Sequence, residues 1–107
     1  MNRSFFFDTS AVVKLYHREA GTDQVEAIFQ QTEDILVISE LATIEVYSMF
    51  SRKVRAGEIT RQAQIKAFEN FESDCTHRFI IAPLGSSVLQ KAKELLLKHG
   101  NLRALRT

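Results

Sequence analysis

Cysteine occurs once in this chain of 107 residues, at Cys75, so no internal disulfide and no cysteine-based metal cluster can form. Proline also occurs once. No Gly/Ser-rich stretch and no internal repeat interrupts the sequence, so it holds no evident interdomain linker and reads as one domain of ordinary size, residues 1–107. No apolar run approaches the roughly 20 residues of a membrane span. The start, Met1-Asn2-Arg3-Ser4, leads into a short apolar run closed by an acid, unlike a signal peptide. A cytoplasmic protein without membrane contact is therefore expected. An excess of one charge is missing too. The net charge of +1 neither demands nor excludes a polyanionic partner, so any nucleic-acid contact has to come from a local patch. His17, His77 and His99 share no ligand spacing, and nothing here points to zinc. They are expected at the surface or at helix ends.

What the chain does hold is 45% hydrophobic and 25% charged residues, the balance of a packed core rather than of disorder. Three short apolar runs read as strands: Phe5-Phe6-Phe7, Ile35-Leu36-Val37-Ile38 and Phe79-Ile80-Ile81. Between them the apolar residues recur at helical spacing. Thr9 and Ser10 are good caps for a helix from Ala11 to Tyr16. Gly21 and Thr22 precede one whose face holds Val25, Ile28 and Phe29. Ser39 can cap a long helix from Glu40 to about Arg55, stopped near Gly57. Thr60 can cap another with Ile65, Phe68 and Phe71 on its apolar face. A last helix is expected after Ser86 or Ser87, carrying Val88, Leu89, Ala92, Leu95 and Leu96 and ending at Gly100 and Asn101. Alternation of strands and helices predicts a parallel sheet covered on both faces.

Two acids stand in unusual settings. Asp8 closes the first strand, although aspartate is a poor strand residue, and ligands of open parallel sheets bind outside the carboxyl ends of the strands. Glu45 lies within a helix whose apolar residues spread around nearly the whole wheel, leaving a narrow polar stripe of Glu45, Ser48 and Arg52 with Ser51 just beyond. Such a helix is expected to be buried, with the stripe facing either a thin window of solvent or an internal polar site. Ordinary roles exist for each acid. Glu45 could pair with Ser48 or Arg52, and Asp8 could cap a helix. Together they fit a divalent-metal site, because clustered carboxylates repel unless a cation joins them, and hard oxygen ligands suit Mg²⁺ or Mn²⁺.

The run Phe5-Phe6-Phe7-Asp8-Thr9-Ser10-Ala11, followed by Ser39-Glu40-Leu41-Ala42-Thr43-Ile44-Glu45-Val46 opening a long helix, resembles the PIN domain. The nearest likeness is to the VapC-like toxins of bacterial type II toxin–antitoxin pairs. The resemblance implies a three-layer α/β/α fold with a parallel sheet, and a ribonuclease that hydrolyses RNA phosphodiesters with Mg²⁺ or Mn²⁺. It carries Asp8 and Glu45 over as metal-binding acids and Ser10 as a hydroxyl that supports the site. Thr9 matches the motif without a firm role. A metal in such a site lowers the pKa of water and neutralises charge on the phosphate. The resemblance also implies an antitoxin partner. Lys14, Arg18, Arg52, Lys53 and Arg55 flank the two motifs and are candidate phosphate contacts.

In that family a third acid begins the helix after a segment like Arg103 to Thr107, and a fourth polar or acidic residue follows the next strand. The chain reads as incomplete at its C-terminus by that pattern, and little nuclease activity is expected of it. Glu94 matches no catalytic position. With no strand expected beside the first, the edge of Phe5–Phe7 would be open, and a homodimer or domain exchange would follow. The alternative function is a non-catalytic binding domain of the same fold. A haloacid-dehalogenase-type phosphatase is disfavoured by Ser10, which stands where a second acid would be needed.

Overall fold

The computed structural model describes residues 3–83 and the backbone of Leu102–Leu105. The last expected helix, with Glu94 and His99, lies outside the described residues. The elements run β1 (Ser4–Phe7), α1 (Thr9–Lys14), α2 (Thr22–Phe29), β2 (Ile35–Ser39), α3 (Glu40–Arg55), α4 (Arg61–His77), β3 (Phe79–Ala82) and β4 (Leu102–Leu105). They build a four-stranded parallel sheet in the order β3-β2-β1-β4.

The last of these strands corrects an expectation. Ser4 to Phe7 pair with Leu102 to Leu105 along their full length, so β1 is an interior strand with a neighbour on each side. The unpaired β1 edge, and the self-association argued from it, lose their basis. The tail joins the sheet because Leu102–Leu105 runs parallel to β1 and meets its backbone groups, which would otherwise need other partners.

Register decides which residues meet the core. Phe5 aligns with Leu36, and Leu36 with Phe79; all three are buried, as are Phe7 and Ile38 on the same face. The described helices pack onto that face through Ala11, Val12, Val13, Val25, Ala42, Val46, Phe50, Ala67 and Phe71. On the opposite face Phe6 and Val37 are half-buried, while Ile35 and Ile80 are exposed. Aromatic rings tie the layers together: Phe79 meets Phe7, Phe29 and Phe71 edge-on or tilted at centroid distances of 6.3, 5.8 and 6.4 Å.

Helix α3 is not buried all round. Ala42, Val46 and Phe50, one turn apart, carry the packing, whereas Leu41 and Ile44 are 44% and 58% exposed. An apolar side chain on a helix is buried only where a neighbouring element meets it, and the wheel alone does not say which side that is. Ile65 on α4 is likewise exposed, and its buried residues are Gln64, Ala67 and Phe71. Where turns demand special backbone, the sequence supplies it: Gly21 before α2 and Gly57 after α3 have φ of 93° and 75°.

One clamp had no signal in the sequence pattern. Arg78, just past α4, donates to the carbonyls of Phe29, Gln31 and Asp34 at 2.9–3.1 Å, fastening the α2–β2 connection to the start of β3. Asp34 is buried, and its carboxylate accepts from the Arg3 backbone and guanidinium.

Candidate active site

Helix α1, Thr9–Lys14, begins two residues earlier than its sequence suggests. The cap is Asp8, not Thr9 or Ser10: its Oδ1 accepts from the Ala11 amide at 2.9 Å, in extended backbone with φ −76° and ψ 174°. Because aspartate takes that role, the two hydroxyls after it are not consumed as cap acceptors. The Thr9 hydroxyl instead donates to Glu45 Oε1 at 2.7 Å. Ser10 lines the same cleft as Glu45.

The sheet order explains why these residues collect here. From β1 the chain moves to β2, whereas β4, on the other side of β1, is reached from β3 at the far edge. Asp8 follows the carboxyl end of β1, where Phe7 aligns with Leu105. In open α/β sheets the crevice at such a reversal of strand order is where ligands sit. Glu45 reaches it from the second turn of α3, which starts directly after β2 with the Ser39 hydroxyl capping the Ala42 amide at 3.0 Å.

The cleft has a volume of about 750 Å³. Its lining includes Thr9, Ser10, Glu45, Ser48, Ser51, Arg52 and Arg55. The polar stripe expected of α3 is therefore one wall, and Arg55 extends it by a further turn. Glu45 accepts from Thr9; no bond from Ser48 or Arg52 to it is formed. Tyr47 also lines the cleft, but its hydroxyl donates to Glu72 at 2.9 Å. Partial burial and that carboxylate push the phenol up to about 12, so it holds its proton at neutral pH.

Of the five cations flanking the motifs, three are committed elsewhere. Lys14 is buried and donates to Glu19 at 2.9 Å, which excludes it as a phosphate contact. Lys53 pairs with Glu19 and Glu58, and Arg18 with Asp23 and Glu26. Among the described residues Arg52 and Arg55 form no ion pair, and both are exposed. His77 is at the end of α4, bonded to the Ser73 carbonyl, and no group of three His, Cys, Asp or Glu that could hold a metal exists among the described residues. Nor is any helix among them long and apolar enough to cross a membrane.

The class is that of parallel α/β proteins with an acid at the end of the first strand and a second acid on a following helix at the same end of the sheet. The family is fixed more narrowly: the PIN domain model matches residues 5–106, and the chain belongs to the PIN domain family. Among solved structures, VapC20 of Mycobacterium tuberculosis, a sarcin-ricin-loop-cleaving toxin, is similar with a TM-score of 0.56 and 18% sequence identity, over 90% of this chain and 68% of that one. At that identity the likeness is one of fold. No curated protein matches the sequence.

Proposed function

We propose that this chain is a metal-dependent ribonuclease domain of the VapC-like toxin type. The observation that carries the reading is the Thr9–Glu45 hydrogen bond, which joins the two acidic motifs of a PIN-family chain at the carboxyl end of the sheet. The donor set fits the cation implied: the Glu45 carboxylate and several hydroxyls line the cleft with no histidine or cysteine, and Asp8 directly precedes the lining residue Thr9, a set that suits Mg²⁺ or Mn²⁺, which bind through one or two carboxylates and retain several waters. Asp8 and Glu45 would hold the ion, which when bound supplies Lewis acidity toward a phosphodiester. Asp8 is fixed by its cap to α1. Glu45 is oriented by Thr9, and Ser10 stands beside them as a donor for substrate oxygens. An antitoxin partner and a cytoplasmic setting accompany the reading.

With Asp8 and Glu45 as its only acids among the described residues, the site would hold metal weakly, and low activity is the corollary. A second reading, a non-catalytic interaction domain, is favoured by one observation, the lack of a third metal-binding side chain among the described residues. Calorimetric titration of Mn²⁺ into the chain, Asp8→Asn and Glu45→Gln, with cleavage of single-stranded RNA followed in parallel, separates the two. Binding lost in both variants, with metal-dependent cleavage lost alongside, supports the ribonuclease. Mn²⁺ binding that ignores both substitutions leaves the interaction domain.

A further inference from the structure

Arg52 and Arg55 are the feature of the cleft that hydrolysis by the two acids does not use. They share a face of α3 with Glu45 and Ser48, at offsets of three, seven and ten residues from Glu45. At 1.5 Å rise per residue the row runs about 10 Å from Glu45 to Arg52 and about 15 Å to Arg55. Other cations near the motifs are neutralised by Glu19, Asp23, Glu26 or Glu58, so the contrast is local: Arg52 and Arg55 keep their charge toward the cleft. Ser48 and Ser51 stand among them as further hydroxyl groups; the Ser51 hydroxyl accepts from Gln64 at 3.4 Å.

From this geometry we infer that Arg52 and Arg55 form a phosphate-binding row that holds one strand of RNA along α3, on one side of the acids. Guanidinium forks match phosphate oxygens bidentately and cannot lose their charge. A single row on one helix matches the single row of phosphates of one strand, whereas a duplex presents two. The row also gives the cleft a direction. The end at Glu45 would meet the phosphate that reacts, and the end at Arg55 would grip phosphates of nucleotides to one side only, so affinity depends on length on that side. The choice of RNA rests on the ribonuclease reading, but the phosphate row itself can be tested without catalysis.

The test is binding of a fluorescent single-stranded RNA octamer to the whole chain by anisotropy, in EDTA and over a series of salt concentrations. Each phosphate contact contributes about 0.7 to the slope of log affinity against log salt for a single strand. Arg52→Gln and Arg55→Gln should each lower the slope by about 0.7, and the double variant by about 1.4. Lys66→Gln, an exposed cation outside the cleft lining, should leave it unchanged, and Asp8→Asn should keep the Arg-dependent slope. A slope that survives the double substitution, with the fold intact by circular dichroism, overturns the inference. Equal Arg-dependent binding of double-stranded RNA overturns the single-strand assignment, and equal binding of an acidic peptide reassigns the row to a protein partner. If Mn²⁺ binding in the separate titration ignores Asp8→Asn and Glu45→Gln yet the slope falls as expected, the hydrolase reading fails and the phosphate row stands.

Discussion

The Thr9 hydroxyl donates to Glu45 Oε1 at 2.7 Å, tying the first turn of α1 to the second turn of α3 across 36 residues of sequence. The bond is charge-assisted, and such bonds contribute about 1.5–3 kcal/mol where solvent is excluded. Here Glu45 is exposed, so the contribution to stability is smaller. Thr9→Val, which keeps the side-chain shape, is expected to cost about 1 kcal/mol or less by urea denaturation. It should weaken Mn²⁺ binding severalfold, because Glu45 is released from its orientation. Thr9→Ser should restore both. Unchanged Mn²⁺ affinity in Thr9→Val would show that Glu45 needs no positioning.

Asp8 caps α1 and, on the proposed reading, also holds metal; two substitutions separate the two. Asparagine caps a helix about as well as aspartate, whereas alanine forfeits the bond to the Ala11 amide at a cost of about 1 kcal/mol. Asp8→Ala is therefore expected to lower stability by at least that amount, and by more than Asp8→Asn does. Both should lose Mn²⁺ binding, since each removes the charge. Thermal unfolding with and without Mn²⁺ checks this in one experiment: metal raises the midpoint of the parent only. A midpoint rise in Asp8→Asn equal to the parent's would place the metal elsewhere.

These two residues also mark what was legible in the sequence. Three strands, four helices and the placement of Asp8 at a strand end could be read because strand runs and helical spacing are local patterns. The polar stripe of Glu45, Ser48, Ser51 and Arg52 was legible for the same reason, and it is a wall of the cleft. The pairing of Leu102–Leu105 with β1 was missed, because a strand's neighbour is set by long-range topology. The burial of α3 was over-read: Leu41 and Ile44 look like core residues on a wheel but face no packed element. The commitment of Lys14 to Glu19 was invisible too, since it depends on the α1–α2 turn folding back on itself.

That turn yields a pH dependence. Burial alone would raise the Glu19 carboxyl, but the hydrogen bond and charge of Lys14, joined by Lys53, outweigh it and hold the group below its ordinary value of 4.5. A carboxyl depressed by folding contributes stability above its unfolded pKa, and that contribution is lost as pH falls through the folded value. Glu19→Gln leaves Lys14 buried without its partner. Breaking a fully buried pair costs about 3–5 kcal/mol. With the Glu19 side chain still 32% exposed, a smaller cost is expected, of about 2 kcal/mol at pH 7. The gap between parent and variant in urea midpoint should begin to narrow below about pH 4.5 and close once the pH falls below the depressed folded value, where the parent carboxyl is protonated as well. A gap that stays constant down to pH 3 would mean that the ion pair contributes nothing beyond packing.

Cys75 should be chemically quiet. Burial pushes its thiol up from 9.0 to about 11, and the neighbouring carboxylates of Asp74 and Glu72 act in the same direction. The thiolate is the reactive form, so a rise of two units lowers its fraction at pH 7.5 about a hundredfold, before any steric protection by the core it packs against. Alkylation by iodoacetamide under native conditions is expected to run at least that much slower than for a free thiol at the ordinary value. The rate should climb tenfold per pH unit up to about pH 10. Asp74→Asn should accelerate it, because removing one carboxylate lowers the thiol pKa; the same change takes the charged acceptor from the Tyr16 hydroxyl, which donates to Asp74 at 2.7 Å, so stability must be measured beside it. Fast labelling of the folded parent at neutral pH would mean that the α4–β3 corner opens, since the raised thiol pKa of half-buried Cys75 in the closed fold disfavours it.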